Sequence, residues 1–254
     1  MGRMPTNDIL NAHKDIATVK LNSYLDLLID SSDPKLMAKA DKLCYWLEDW
    51  IKFLEFEPSF SAKSLRRYKR GEIIKVHLGF NVGSEEGGLH YAIVVEKNNA
   101  KTSPVVTIIP LTSVKPTTDI ENLRKGNVYL GNELFTQLSA KLSYINRHLN
   151  ETVTKLKERI EELGDNISET EHLELSTAID EAYSEMDLHN RAKSEILKMR
   201  KGSIALVNQI TTISKIRIYD PKTDHDILSG IKLSNEKLDL IDNEITKNYT
   251  NYNG

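Results

Sequence analysis

The chain alternates between two hydrophobic rhythms. Residues 33–57 (DPKLMAKADKLCYWLEDWIKFLEFE) place Leu36, Ala40, Leu43, Leu47, Trp50 or Ile51, and Leu54 at spacings of three and four, the stripe of an amphipathic helix. Asp33 followed by Pro34 supplies a start signal, since the carboxylate accepts from first-turn amides and proline needs no donor there. A preceding helix over about 7–30, with Ile9, Ile16, Leu21, Leu25 and Leu28, predicts a helical hairpin. From residue 70 the rhythm shortens to runs rich in Val, Ile and Tyr: GEIIKVHLGF, HYAIVVEKN, VVTIIPLTS and GNVYL, separated by turn formers such as NNAKTSP and SVKP. Short strands at that spacing predict a small barrel or sandwich.

Helical periodicity returns over 133–163, where Leu134, Leu138, Leu142, Ile145, Leu149, Leu156, Ile160 and Leu163 form a seam. GDN at 164–166 breaks it. A second helix toward Met199 carries Leu173, Ile179, Tyr183, Met186 and Leu197. This predicts an antiparallel coiled-coil hairpin with arms of roughly 40 Å. Strand character then resumes at 202–220 (GSIALVNQITTISKIRIYD). So apolar a strand needs a sheet, and the other sheet candidates lie before residue 131, so the coiled coil is expected as an insertion into a β domain. The reading is α+β, with an N-terminal helical hairpin over 1–62, a β domain over 66–131 and 201–233, a coiled coil over 132–200, and a C-terminal helix over 234–254 that starts near Ser234 and Lys237.

Composition narrows the class. At 254 residues, 39% hydrophobic and 28% charged, the chain can bury a substantial core. No apolar run approaches the roughly 20 residues of a membrane helix, and the first residues lack the order of a secretory signal, so a cytoplasmic location without membrane contact is expected. The single cysteine, Cys44, sits among Leu43, Tyr45, Trp46 and Leu47 and reads as a packed thiol. His148, His172 and His189 stand apart on the helices without metal-ligand spacing, so no metal or other cofactor is expected. The net charge of −3 is unevenly spread. Eleven basic residues face six acidic ones over 61–130, whereas 131–200 carries nine against fourteen. The basic segment is where a phosphate backbone would be drawn.

That segment contains GSEEGG (83–88), a glycine-rich loop with His90 at its exit. In order, RGEIIKVHLG (70–79), VGSEEGG (82–88) leading to YAIVVEKNN (91–99), SPVVTIIPLTS (103–113) and VNQITTISKIRI (207–218) resemble the MazF/PemK family of toxin endoribonucleases. The resemblance covers roughly 80 residues in two blocks. It implies a small SH3-like β-barrel that dimerises, cuts single-stranded RNA without a metal, and is neutralised by a cognate antitoxin with which such toxins bind DNA. The family's catalytic pair is an arginine just after the double glycine and a threonine ending the third strand. Thr112 matches the second; His90 stands at the first, and Tyr91 replaces the usual following proline. Gln209 agrees with the pattern, whereas Asn208 takes a position usually acidic and Thr211 one usually basic.

Cutting RNA through its 2′-hydroxyl requires a base, an acid and donors for the charged phosphorane. Imidazole titrates near neutrality and serves as either base or acid. His90 and Thr112 are therefore the expected catalytic residues, with Lys75, Ser84, Gly87, Gly88, Ser113, Asn208, Gln209 and Lys215 at the substrate. Glu85 and Glu86, which would repel phosphate, are expected to shape the loop or meet the antitoxin. His77 reads as a solvent-face residue. An acidic insertion beside a basic β domain could dock over the RNA groove or present a surface to the antitoxin; the plainer alternative is that the coiled coil merely extends the dimer interface. The alternatives are a catalytically inactive scaffold that binds RNA or protein, and a DNA-binding regulator, the latter disfavoured by the lack of an arginine-rich recognition helix.

Overall fold

A computed structural model describes residues 5–163, 168–199 and 202–251. The chain divides into two units, Met1–Ser59 and Phe60–Gly254. In the first, α1 (Asn7–Ile29) and α2 (Pro34–Phe56) form the hairpin, with the Asp33 side chain accepting from Lys35 N at 2.8 Å. Only Leu28 of α1 and Ala40 of α2 are buried. The expected stripe is half realised, since Ile9, Ile16, Trp50, Ile51 and Leu54 lie exposed.

The second unit is built on seven antiparallel strands: β1 (Ile73–His77), β2 (Leu89–Val94), β3 (Val105–Ser113), β4 (Asn127–Gly131), β5 (Ser203–Leu206), β6 (Thr211–Ser214) and β7 (Ile218–Asp220). The strand order is β4-β5-β3-β2-β1-β7, and β6 also pairs with β3. The expected long strand over 202–220 is broken by short turns at Val207–Gln209 and Lys215–Arg217. Its first two pieces pair in succession with β3, Ala205 opposite Leu111 and Ile213 opposite Val106. Among the described residues no ladder joins β4 to β7, so the sheet stays open. After β7 the chain turns to lay Ile227, Leu228, Ile231 and Leu233 into the core.

The period of two sorts the strands onto two cores. Ile74, Val76, Ala92, Val94, Val106 and Ile108 pack with Leu65 and the fully buried Tyr68, whose hydroxyl donates to the Pro221 carbonyl at 2.8 Å. The opposite positions, Ile73, Ile93, Ile109 and Leu111, pack with the helices.

Those helices are α3 (Glu133–Leu163) and α4 (Glu169–Lys198), inserted between β4 and β5, and α5 (Asn235–Tyr249). Leu134, Leu138 and Ile145 of α3 and Ala192 of α4 join the sheet core. A capping box of Ser168 and Glu171 starts α4; the GDN break expected at 164–166 lies outside the described residues. The seam expected on α4 is not the one used. Leu173, Tyr183 and Leu197 are 67%, 63% and 77% exposed, whereas Ala192 is buried and Leu188 and Ile196 pack against the core. Counting large apolar residues missed a face that uses alanine, whose small side chain lets helices approach closely. The C-terminal helix is tied in rather than loose. Ser234 caps α5, its N–H donates to Glu133 at 2.5 Å, and Leu238 and Ile241 are buried.

Gly126 fixes the junction of β4 with the 207–209 turn. It has φ +81°, and a Cβ there would lie 2.6 Å from Asn208 Cβ. Its N–H donates to Glu244 of α5 at 2.8 Å, and its carbonyl accepts from Asn208 N at 3.2 Å. Gly126→Ala is therefore expected to cost about 2–4 kcal/mol, combining the left-handed penalty with overpacking. Urea unfolding checks this: an unchanged midpoint would mean the junction is slack.

Candidate active site

The site lies where β1, β2 and β3 end beside α4. Ala92 pairs with Pro110, and two residues further along this register His90 stands level with Thr112. Alternation then places both side chains on one face, the face of Ala92, Val94 and Ile108. They line a cavity of about 420 Å³ with Lys75, Tyr91, Ser113, Lys115 and Glu195. Lys75 and Tyr91, opposite each other in the β1–β2 ladder, belong to the other face and reach the cavity from the side of α4.

His90 is held at both nitrogens. Nδ1 lies 3.1 Å from the Leu111 carbonyl oxygen, and Nε2 lies 3.3 Å from Glu86 Oε1. Leu111 holds the ring from the neighbouring strand and Glu86 from the glycine-rich loop. Glu85 accepts from Val82 N at 3.3 Å and shapes the loop turn.

The loop is clamped from across the sheet. The Gln209 side chain accepts from Glu86 N at 2.7 Å and donates to the Ser84 carbonyl at 2.9 Å. At its base Gly88 N donates to the Gly79 carbonyl at 2.7 Å, and a Cβ on Gly87 would meet that same carbonyl oxygen at 2.8 Å. Gly87 is thus glycine because the hairpin strands approach there.

The structure brings together His90, Thr112, Ser113 and Lys75 of the expected residues. Asn208 and Gln209 line a separate cavity of about 390 Å³ with Asn81, Glu85 and Arg217. Ser84 is exposed on the loop. Gly88 uses its amide within the hairpin. Lys215 does not join the site: it is 1% exposed, donates to the Ala100 carbonyl at 3.0 Å, and sits 5.7 Å from the Tyr68 ring centroid. Burial pushes its pKa down, with Glu96 opposing. Its expected role at the substrate is therefore corrected to a core role. His77 accepts from Gly79 N through Nδ1 at 3.0 Å, which makes it part of the hairpin turn. His148 pairs with Glu185 at 2.8 Å, an α3–α4 contact. Among the described residues no cluster of three metal-ligating side chains forms.

Sequence reasoning missed Tyr91 and Glu195. Glu195 comes from the end of α4, with Oε1 2.5 Å from Lys75 Nζ, and it also accepts from the Tyr91 hydroxyl. Lys75 Nζ lies 5.7 Å from the Tyr91 ring centroid. Burial, then the bond to Glu195, pushes the Tyr91 phenol well above its ordinary value, so it stays a donor. Burial also raises Asp220, opposite Lys75 on β7. Nothing in the period of α4 marks Glu195. Only the acidic excess of the insertion pointed its way.

Residues 69–183 match the family described as PemK-like, MazF-like toxin of type II toxin-antitoxin system. The match begins just before β1, takes in β1 to β4 and α3, and ends within α4. No curated protein matches the chain. Residues 69–183 are thus similar to PemK-like, MazF-like toxin domains, the helices α3 and α4 running out of the fourth strand. No helix of the described residues is long and apolar enough to cross a membrane.

Proposed function

We propose that this toxin-like domain is an endoribonuclease that cuts single-stranded RNA by attack of the ribose 2′-hydroxyl, without a metal. The observation that carries the reading is that His90 and Thr112, from neighbouring strands, line one cavity with Lys75. The Nδ1 bond to Leu111 orients the ring and leaves Nε2 as the working nitrogen. His90 donates the proton to the leaving 5′-oxygen. Solvent water accepts the 2′ proton, and Glu86, 3.3 Å from Nε2 and lining the neighbouring cavity, steadies the ring. Thr112 and Ser113 donate to the phosphorane oxygens, where preorganised donors lower the barrier, and Lys75 adds positive charge beside them. In this reading the open sheet is the family's SH3-like barrel with an unsealed seam. Residues 66–131 and 201–233 carry the chemistry, and Asn208 and Gln209 border the path of the flanking nucleotides. The protein acts in the cytoplasm as a homodimer, restrained by a cognate antitoxin with which it binds DNA.

A second reading, an inactive scaffold that binds RNA or protein, draws support from Glu195, whose carboxylate occupies the Lys75 corner of the cavity. A fluorescent single-stranded RNA incubated with the full chain in EDTA separates the two. The nuclease reading expects products with 5′-hydroxyl and 2′,3′-cyclic phosphate ends. RNA that is bound and stays intact supports the scaffold.

A further inference from the structure

We propose that Lys75 Nζ and Tyr91 OH form a subsite for an RNA phosphate next to the scissile one, which the chain fills with its own Glu195 carboxylate. RNA binding then displaces the Glu195 side chain. This rests on the RNA reading of the cavity above.

The corner has the chemistry of an anion site. An ammonium and a phenol converge on one carboxylate oxygen, each donating to Glu195 Oε1, which is the pattern a phosphate oxygen would complete. Both charged partners are largely buried, the Lys75 and Glu195 side chains keeping 23% and 15% of their exposure. The phenol remains protonated and cannot repel an incoming anion. The ion pair also divides space. Lys75, Leu89 and Glu195 are shared by the cavity of about 420 Å³ and a neighbour of about 320 Å³ bounded by Arg191, Ser194, Tyr219 and Asp220. Lys75 and Glu195 thus form the wall between them. Swinging Glu195 away joins the two into one groove lined by Lys115, Lys75 and Arg191, cations that would draw an RNA backbone.

Release of Glu195 from Lys75 and Tyr91 needs only its side chain to turn, because its helix is anchored on either side of it. Glu195 stands near the C-terminal end of α4, where Ala192 and Ile196 pack on the sheet core and Met199 closes the helix in extended conformation. An acidic excess in the insertion and a basic excess around the site are thus joined at one contact.

The test uses the full chain and a 2′-O-methyl oligonucleotide, which binds without being cut, followed by fluorescence anisotropy over a range of salt. Glu195→Gln keeps the shape and removes the charge. It is expected to bind about tenfold more tightly, and its salt dependence should steepen by about 0.7 in log–log slope, one added phosphate contact on a single strand. Lys75→Ala in the Glu195→Gln background should abolish both gains. Tyr91→Phe should change little in the parent, where Glu195 holds the hydroxyl, and should weaken binding in the Glu195→Gln background. Thermal unfolding verifies that each variant is folded. Equal or weaker binding by folded Glu195→Gln, or an unchanged slope, overturns the proposal. Cleavage of a 2′-hydroxyl RNA is measured in parallel. Tighter binding without cleavage sinks the nuclease reading and leaves this one standing, whereas cleavage with unchanged Glu195→Gln binding does the reverse.

Discussion

His90→Ala is expected to slow single-turnover RNA cleavage by about 10²–10⁴-fold, the range for losing a positioned acid–base group. Affinity for a 2′-O-methyl oligonucleotide should move much less, because Lys75 and Lys115 remain in the cavity. The split follows from the geometry. The imidazole is fixed to the Leu111 carbonyl and faces Glu86, so it is set to pass a proton more than to grip a phosphate. Thr112→Ala, removing one donor to the phosphorane, should cost about 10²–10³-fold. His90→Arg separates donation from proton transfer: guanidinium donates and does not deprotonate in proteins. Arginine, the residue the resembling family carries at this position, is expected to recover part of the cleavage lost in His90→Ala, the remainder measuring what proton transfer by imidazole adds. Parent-like cleavage by His90→Ala, with the thermal midpoint unchanged, would remove the imidazole from the chemistry.

The β1–β3 core was legible because its signal is local. Alternation in EIIKVHL and VVTIIPLTS sets which side chains face each core, and the turn formers mark where strands stop. The same period, applied across the β2–β3 register, is what aligns His90 with Thr112. Lys215 shows where such reasoning stops. Its place in ISKIRI looks like a cation beside a strand, but a short turn at Lys215–Arg217 swings it inward to cap Ala100. Propensity carries no sign of that turn, which depends on Lys215 N donating to the Pro104 carbonyl at 2.8 Å, a contact over a hundred residues away in sequence. Glu195 was invisible for the same reason: its partners Lys75 and Tyr91 lie across the whole insertion. On α4 the inward face is spelled partly in alanine, and periodicity weighted toward large residues chose the wrong side.

Leu138→Ala is expected to destabilise the chain by about 2–5 kcal/mol, the cost of a cavity in a packed core. Leu138 is 1% exposed and shares its cluster with Ile73, Ile93 and Leu228, so the first turns of α3 belong to the sheet domain as much as to the insertion. Cutting out the insertion at its base, over 134–198, would take Leu134, Leu138, Ile145 and Ala192 with it and open that core. A cut higher up should be tolerated. Thr152 Oγ1 meets Glu185 at 3.4 Å, so the two helices are side by side there, and α3 beyond Ile145 has no buried residue. Joining 152 to 185 through a short helix–helix loop is expected to shift the urea midpoint only slightly, while keeping Glu195 on Lys75. A trimmed chain that unfolds as readily as Leu138→Ala would mean that the distal arms, exposed as they are, carry stability of their own. A trimmed chain that is folded and binds RNA like the parent places the control of the cavity at the end of α4 and gives the distal arms another task.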